Sequence, residues 1–411
     1  MMAKKRILAA MAKGSVLLYG AIAIVVGFTS TTGMKSANAR ASLPNYIVIG
    51  YNDLGMHCMN EDFSEFCLLP PANTMRATVI DRTHGSPEII TQGVTVEYSM
   101  PGNTTSANKT NFWQYAQLYF GVNLAPNMGL FGKGLTGTMN VSADRDFIAP
   151  GIPITPRMDN GQENAYQFAK LTLKRNGQIV HVTAPVIPVS WEMHCDTCHL
   201  TKGSKFTIGN TDKRMAPDVL SAHDKLHGTN LRAQKPVLCA KCHADPALGA
   251  PGVAGVSTFS HAMHGAHASR MAQFELGTKN ECYSCHPGVR TQCQRDVHTA
   301  RGMNCNSCHG TMADVGNTAR RPWVDLPTCG SCHQRAGFAF EEPGKLFRDS
   351  KGHGGVKCVV CHNTPHTILP ATQPQDNQQV ISLQGFADTL QECTVCHKTR
   401  PSDPFPHRRE D

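Results

Sequence analysis

The chain has 411 residues, of which 40% are hydrophobic and 17 are cysteines, and its formal net charge is +8. The length allows two or three domains, and the 36 glycines and 25 prolines favour a loop-rich fold over one large apolar core. The charge does not indicate nucleic-acid binding, because residues 1–39 carry five lysines or arginines and no acidic residue, which leaves +3 for the rest. We expect no nucleic-acid partner.

The N-terminus has the pattern of a secretory signal peptide. Basic residues at positions 4–6 precede an apolar run from Val16 to Phe28, and Ala37-Asn38-Ala39 is a small-x-small cleavage site. An uncleaved anchor is the alternative, but the run is shorter than the roughly 20 residues of a spanning helix. We therefore predict a cleaved signal peptide over residues 1–39, export to the periplasm or outer surface, and no transmembrane segment in the mature chain.

Residues 40–190 are predicted to form a β-rich, sandwich-like domain. Short β-branched or alternating runs indicate strands, and Asn176-Gly177 supplies the positive φ of a tight hairpin turn. One helix is predicted over residues 112–119. The predicted strands are Tyr46 to Gly50, Met75 to Ile80, Val94 to Tyr98, Ala169 to Lys174 and Gln178 to Thr183.

One pentapeptide, C-x-x-C-H, occurs seven times after residue 190. Two cysteines three apart on one turn can form thioethers to a single porphyrin, and the adjacent histidine can bind its iron as the proximal ligand. The motifs are Cys195, Cys198 and His199; Cys239, Cys242 and His243; Cys282, Cys285 and His286; Cys305, Cys308 and His309; Cys329, Cys332 and His333; Cys358, Cys361 and His362; and Cys393, Cys396 and His397. The sequence therefore predicts seven covalent haem c groups.

The fold class expected is thus a β-rich N-terminal domain followed by a loop-rich, sparsely helical multihaem cytochrome c domain over residues 191–411. A polar stretch, residues 373–379, is predicted to be a surface loop before the last motif. Fourteen haem propionates would add about fourteen negative charges near neutral pH. We expect the haem-loaded protein to be acidic.

Zinc sites and disulfides also use paired cysteines. Zinc sites pair two C-x-x-C halves, so seven motifs would leave one unpartnered, and tetrahedral zinc does not require a histidine after every pair. So short a loop is also a strained place for a disulfide. Covalent haem attachment takes place after export, where free cysteines would otherwise oxidise, so the leader and the motifs support the same prediction.

Ten histidines of the haem region lie outside the motifs, which is enough for a second iron ligand at each of seven sites. Mostly bis-histidine ligation is expected, with Met263 and Met303 as alternative ligands that would raise the reduction potential. If residues 260–267 are helical, histidines three apart share a face. The distal candidates are His194, His223, His227, His261, His264, His267, His298, His353, His366 and His407.

Three cysteines stand outside the motifs. In an oxidising compartment, Cys58 and Cys67 are predicted to close a short loop as a disulfide. The alternative places His57 in a ligand loop that reaches a haem of the next domain. Cys293 is left either buried or paired with one of the other two.

The segment Gly50-Tyr51-Asn52-Asp53-Leu54-Gly55-Met56-His57-Cys58, the segment Glu281-Cys282-Tyr283-Ser284-Cys285-His286-Pro287-Gly288 and the seven motifs resemble the large multihaem cytochromes c of metal-reducing bacteria. The resemblance extends over nearly the whole mature chain. It implies a periplasmic or outer-surface electron carrier in anaerobic respiration. Other redox proteins are the implied partners, with extracellular metal oxides as candidate acceptors.

Two other functions remain open. One is a multihaem reductase of the nitrite, hydroxylamine or tetrathionate type with one open haem, although no C-x-x-C-K motif occurs. The other is a self-assembling cytochrome filament subunit, in which His57 would ligate a haem of the next subunit. Because all seven motifs look alike, an electron carrier is favoured over an enzyme, and no catalytic residue is predicted.

Overall fold

Strands dominate the first part of the computed structural model, which describes residues 43–199, 215–271 and 280–407. The predicted signal peptide, residues 1–39, lies outside the described residues. The strands are β1 (Tyr46–Asn52), β2 (His57–Cys58), β3 (Phe66–Cys67), β4 (Asn73–Asp81), β5 (Glu88–Ile89), β6 (Val94–Ser99), β7 (Thr136–Thr138), β8 (Asn140–Val141), β9 (Phe147–Ile152), β10 (Tyr166–Phe168), β11 (Lys170–Arg175), β12 (Gln178–Thr183), β13 (Val186–Ser190) and β14 (Val237–Leu238).

Two antiparallel sheets enclose the main core. One has the order β1-β4-β9-β8, with β5 also on β4, and the other has the order β12-β11-β6-β7. Val48 and Val79 from the first sheet and Val96, Leu171 and Leu173 from the second are buried in one apolar cluster. The predicted β-rich N-terminal region is confirmed, and its two sheets share a core as in a sandwich.

The predicted hairpin forms as expected. β11 and β12 pair antiparallel, and the turn residues Asn176 and Gly177 have φ values of 49° and 76°. Positive φ at both central positions is the type I′ geometry that matches strand twist. The strands predicted near residues 46, 75 and 94 are also present.

Helices are short and sparse among the described residues after β13, as predicted. Each C-x-x-C-H motif forms a short helical turn, and the connections between motifs are mostly loops. The α-helices of the described chain are α1 (Phe112–Phe120), α2 (Met215–His227), α3 (Phe259–Met271), α4 (Val297–Ala300), α5 (Cys305–His309), α6 (Met312–Val315), α7 (Cys358–His362) and α8 (Pro374–Gln384). No helix within the described ranges is long and apolar enough to cross a membrane.

The prediction of a surface loop over residues 373–379 is wrong, because this segment begins helix α8. Some of its polar side chains point into the protein interior and form hydrogen bonds there. Asp376 forms a buried ion pair with Arg295, at 2.6 Å between Oδ2 and Nε, and Gln379 hydrogen-bonds both the N–H and the C=O of Gly50. Buried polar groups are stable where they have such partners, and these partners are remote in sequence.

Residues 42–411 form one compact unit, so residue 190 marks a change of local structure rather than a gap between two bodies. Glu192, just beyond β13, joins the two parts. Its carboxylate accepts hydrogen bonds from the N–H groups of Val289, Arg290 and Thr291 at 2.7–3.0 Å. The region of the C-x-x-C-H motifs is thereby fixed to the end of the β-rich region.

Candidate metal centres

Each C-x-x-C-H motif folds as a single helical turn. Two motifs form α5 and α7, and the others form 3₁₀ turns that contain Cys195, Cys239, Cys282, Cys329 and Cys393. In these five, the histidine N–H donates to the carbonyl of the first cysteine at 2.8–3.0 Å. Two thiols and one imidazole therefore project from the same turn, as one attached porphyrin requires.

Every motif histidine faces the ring of one histidine from outside the motifs. The separations between ring centroids are 5.8–6.3 Å. We number the pairs as sites 1 to 7 by their motifs. Sites 1 to 7 are His199 with His267, His243 with His223, His286 with His264, His309 with His366, His333 with His298, His362 with His407, and His397 with His353.

This spacing fits two axial ligands on one metal. A metal–imidazole bond is about 2 Å long and its nitrogen lies about 1 Å from the ring centre, which places two axial rings roughly 6 Å apart. Burial lowers the pKa of His286, His362 and His366 to about 4, so these rings are neutral at neutral pH and have a lone pair for a metal. The structure describes no group of three or more histidine, cysteine or acidic side chains that could hold a metal ion.

The hydrogen bonds of the paired rings also suit metal binding. Eight of them have a protein partner at Nδ1, which leaves Nε2 as the ligating nitrogen and fixes the ring orientation. Those partners are the carbonyls of Ser257, Ser260, Met263 and Ala339, the carboxylates of Asp218 and Asp296, the Thr229 hydroxyl and the Cys293 thiol.

Three of the ten distal candidates are not placed opposite a motif histidine. His194 is buried with Nε2 2.8 Å from Oε1 of Glu192, and His261 has Nε2 2.7 Å from the carbonyl of Arg320. Each thus uses the nitrogen that would bind iron. His227 is exposed and lies against His223, with 4.8 Å between ring centroids. The other seven candidates supply the seven partners.

The motif thiols are free, and burial raises the pKa of most of them. The pKa is raised to about 12 for Cys195, Cys239, Cys361 and Cys396. Zinc sites and thiol–disulfide exchange depend on thiolates, which a positive environment normally stabilises. At these four cysteines the raised pKa disfavours the thiolate that zinc binding or disulfide exchange would need.

Sites 2, 1 and 3 are linked by two helices. Helix α2 places Asp218 on His199 of site 1 and His223 opposite His243 of site 2. Helix α3 carries His264 of site 3 and His267 of site 1, one turn apart. Residues 260–267 are helical, so His264 and His267 share a helical face, and this face serves two neighbouring sites.

Sites 3 to 7 follow one another in sequence order. The pKa of Cys282 is raised first by contact with Cys305 and then by burial, and Asn280 donates a hydrogen bond to Asn306. Burial is the largest cause that raises the pKa of three further thiols, and a thiol of the neighbouring motif adds to it, after Asp296 at Cys308 and after Glu341 at Cys329. The thiol pairs are Cys308 with Cys332, Cys329 with Cys358, and Cys396 with Cys361. The sites thus form a row in the order 2, 1, 3, 4, 5, 6, 7.

Two further contacts connect sites 5, 6 and 7 of this row. The carbonyl of Ala339, which follows motif 5, lies 3.4 Å from Nδ1 of His407 of site 6. Leu390, which precedes motif 7, donates its N–H to the carbonyl of Cys361 at 2.8 Å. The segment after motif 5 thus contacts site 6, and the segment before motif 7 contacts motif 6.

The disulfide predicted between Cys58 and Cys67 is absent, and both remain free thiols. They lie on β2 and β3, which pair with different strands, β13 and β14. The alternative role for His57 is also contradicted, because its ring is buried and Nε2 lies 2.9 Å from the carbonyl of Pro70. The Cys293 thiol lies 3.8 Å from Nδ1 of His366.

Three residues that contact the paired histidines were not predicted from the sequence. Asp218 and Asp296 contact ligand imidazoles, and Arg295 donates its N–H to the carbonyl of His366. Asp296 could have been noticed two residues before His298. For Asp218 no sequence signal existed, because its partner His199 is 19 residues away in the sequence. No protein-family model, curated protein or solved structure matches this chain.

Proposed function

We propose that this chain is an electron-transfer protein that carries seven covalently attached c-type haems. The observation that supports this most directly is that each of the seven motif histidines has a second imidazole 5.8–6.3 Å away. In each site the two motif thiols would form the thioethers and the two imidazoles would be the axial ligands. Haem iron supplies a one-electron couple.

The second imidazole also favours a carrier over an enzyme. A reductase needs an open coordination position at which its substrate can bind. At each site the partner ring stands where that substrate would have to bind. We therefore rank the multihaem reductase as the alternative function, and one site that loses its partner ring on reduction would favour it.

The row of sites supports transfer along the chain. Thiols of successive motifs are close enough to change each other's pKa, so groups attached to them would be neighbours. The chain's own role is to hold these groups in a fixed order and to keep substrates from the metal. Site 2 and site 7 are the two ends of this row.

A filament that depends on an exchanged histidine is less well supported. All seven pairs form within one chain, and His57, the expected donor, is buried against Pro70. We propose an exported carrier, in the periplasm or at the outer surface, that exchanges electrons with other redox proteins. Extracellular metal oxides are the candidate terminal acceptors, and self-assembly by other contacts is the alternative arrangement.

The test is expression of the full chain with the c-type haem maturation machinery. Intact mass and pyridine haemochrome analysis should give seven haems, and the oxidised protein should have a predominantly low-spin electron paramagnetic resonance (EPR) spectrum. Replacement of Cys358 and Cys361 by serine should lower the haem count by one. A colourless product with the mass of the bare polypeptide would overturn the proposal, and a strong high-spin ferric signal would favour the reductase.

A further inference from the structure

The hydrogen-bond partners of the ligand rings differ in charge from site to site. Backbone carbonyls, a hydroxyl and a thiol are neutral, whereas two partners are carboxylates, Asp218 at site 1 and Asp296 at site 5. A carboxylate that accepts the Nδ1 proton makes the imidazole a stronger donor to the metal. A stronger donor stabilises the oxidised metal and lowers its reduction potential.

Asp296 is held firmly in place. Its Oδ2 lies 3.3 Å from Nδ1 of His298, while Oδ1 accepts from the N–H and the hydroxyl of Thr299 at 3.0 and 3.2 Å. It therefore caps helix α4 and orients the ligand histidine at the same time. Only 7% of the Asp296 side chain is exposed, so water screens its charge weakly.

The neighbouring residue fixes the segment that carries Asp296. Arg295 is 1% exposed and forms a two-pronged ion pair with Asp376 of helix α8, at 2.6 and 3.1 Å. Its guanidinium also donates to the carbonyl of Gly55 at 2.8 Å. With this anchor one residue away, the carboxylate of Asp296 cannot easily turn away from His298.

The direct contact of Asp296 is with site 5. Its carboxylate meets the imidazole of His298, one of the two rings of that site. The negative charge therefore acts most directly on site 5.

Asp218 is a weaker version of the same arrangement. Its Oδ2 lies 3.3 Å from Nδ1 of His199, but 39% of its side chain is exposed. Water and ions will screen much of its charge. The other ring of site 1, His267, has a neutral partner, because its Nδ1 bonds to the carbonyl of Met263.

We propose that Asp296 is a positioning residue that orients His298 and makes site 5 a low-potential site, and that Asp218 acts in the same way, more weakly, on site 1. This proposal rests on the proposed function, because it concerns the metal that the imidazole pairs would hold. It predicts that the reduction potential is lower at site 5 than at the neighbouring sites of the row, so that site 5 is reduced less readily.

The test is Asp296→Asn in the haem-loaded protein, measured by potentiometric titration and EPR. Asparagine removes the charge and keeps one acceptor oxygen, which can face either Nδ1 of His298 or the Thr299 N–H but not both. We expect one couple to rise by at least a tenfold change in its equilibrium constant, about 59 mV for one electron, with all sites still low-spin. Asp218→Asn should shift a different couple by less. Asp159→Asn, in the β-rich region, is the charge control and should shift none.

A second variant identifies the couple. His298→Ala removes the site 5 ligand, and in that background Asp296→Asn should produce no further shift of the affected couple. The proposal is overturned if Asp296→Asn leaves every couple unchanged, shifts all seven equally, or acts fully in the His298→Ala background. A product without haem would instead overturn the proposed function, so the two failures are distinguishable.

Discussion

The imidazole of His366 faces that of His309, with 6.2 Å between ring centroids, although two complete motifs lie between them in the sequence. His366 has a φ of 68°, and its carbonyl accepts from Arg295 at 2.8 Å. The preceding residue, Pro365, packs against Gly55 of the β-rich region. Site 4 is therefore built by the whole fold rather than by its own motif.

Replacement of Gly55 by alanine should disturb site 4 selectively. Gly55 has a φ of +78°, and an added Cβ would meet the backbone oxygen of Pro365. We expect a high-spin fraction from one site in EPR and a loss of stability beyond the roughly 1–2 kcal/mol that positive φ alone costs a non-glycine residue. Gly93→Ala is the control, because its φ is +71° and nothing lies within 4 Å. Equal effects of the two variants would contradict this prediction.

The two histidines near the end of helix α2 give a matched test of ligand assignment. His223→Ala should turn one haem high-spin, because His223 faces His243, whereas His227→Ala should leave every site low-spin. The measurement is the integrated high-spin ferric EPR signal, with absorption spectra as a check. If His227→Ala produces the signal and His223→Ala does not, the assignment at site 2 is wrong.

The angles between paired rings should divide the low-spin EPR spectrum into two classes. The rings are nearly parallel at site 3, with an interplanar angle of 15°, and nearly perpendicular at site 2, with 83°. Parallel axial rings split the energies of the iron d orbitals more than perpendicular rings do. We expect His264→Ala to remove a signal of the rhombic type and His223→Ala to remove one of the highly anisotropic type. Loss of the same type in both variants would contradict the geometry.

Glu192 should make stability depend on pH in the acidic range. Burial opposes its ionisation, but bonds to His194, Thr291 and backbone N–H groups lower its pKa from 4.5 to about 2. Because the folded pKa is the lower one, the stabilisation is present above pH 4.5 and is lost as pH falls towards 2. Glu192→Gln should cost about 2–4 kcal/mol near neutral pH.

Chemical denaturation across pH would measure this effect. The gap in unfolding free energy between the parent protein and Glu192→Gln should narrow as pH is lowered from 4.5 to 2. Glu88→Gln, at an exposed position on β5, should show no gap at any pH. A Glu192→Gln gap that does not change with pH would mean that the loss comes from packing rather than from the charge.

Local patterns in the sequence predicted local structure well. The β11–β12 hairpin and helix α1 were both predicted from short windows of sequence. The seven motifs were readable for the same reason, because five adjacent residues define each one. Each of these features depends on contacts between residues close in sequence.

The pairing of rings could not be predicted, because it depends on distant contacts. His223 and His227 are equivalent in the sequence, and only the position of His243 separates them. Likewise, the polar residues at the start of α8 gave a wrong loop prediction, because Asp376 and Gln379 find buried partners in Arg295 and Gly50, which are distant in sequence. The prediction of a Cys58–Cys67 disulfide was wrong, because the two cysteines lie on strands that pair with different partner strands.

The direction of each histidine pair along the chain has a consequence for biogenesis. At sites 2, 3, 5 and 7 the second histidine precedes the motif, whereas at sites 1, 4 and 6 it follows. If haem attachment proceeds as the polypeptide emerges from the translocon, each site of the first group would have both histidines available as soon as its motif emerges. In the second group the partner histidine would emerge only after its motif, and at site 6 it is His407, which follows all seven motifs in the sequence.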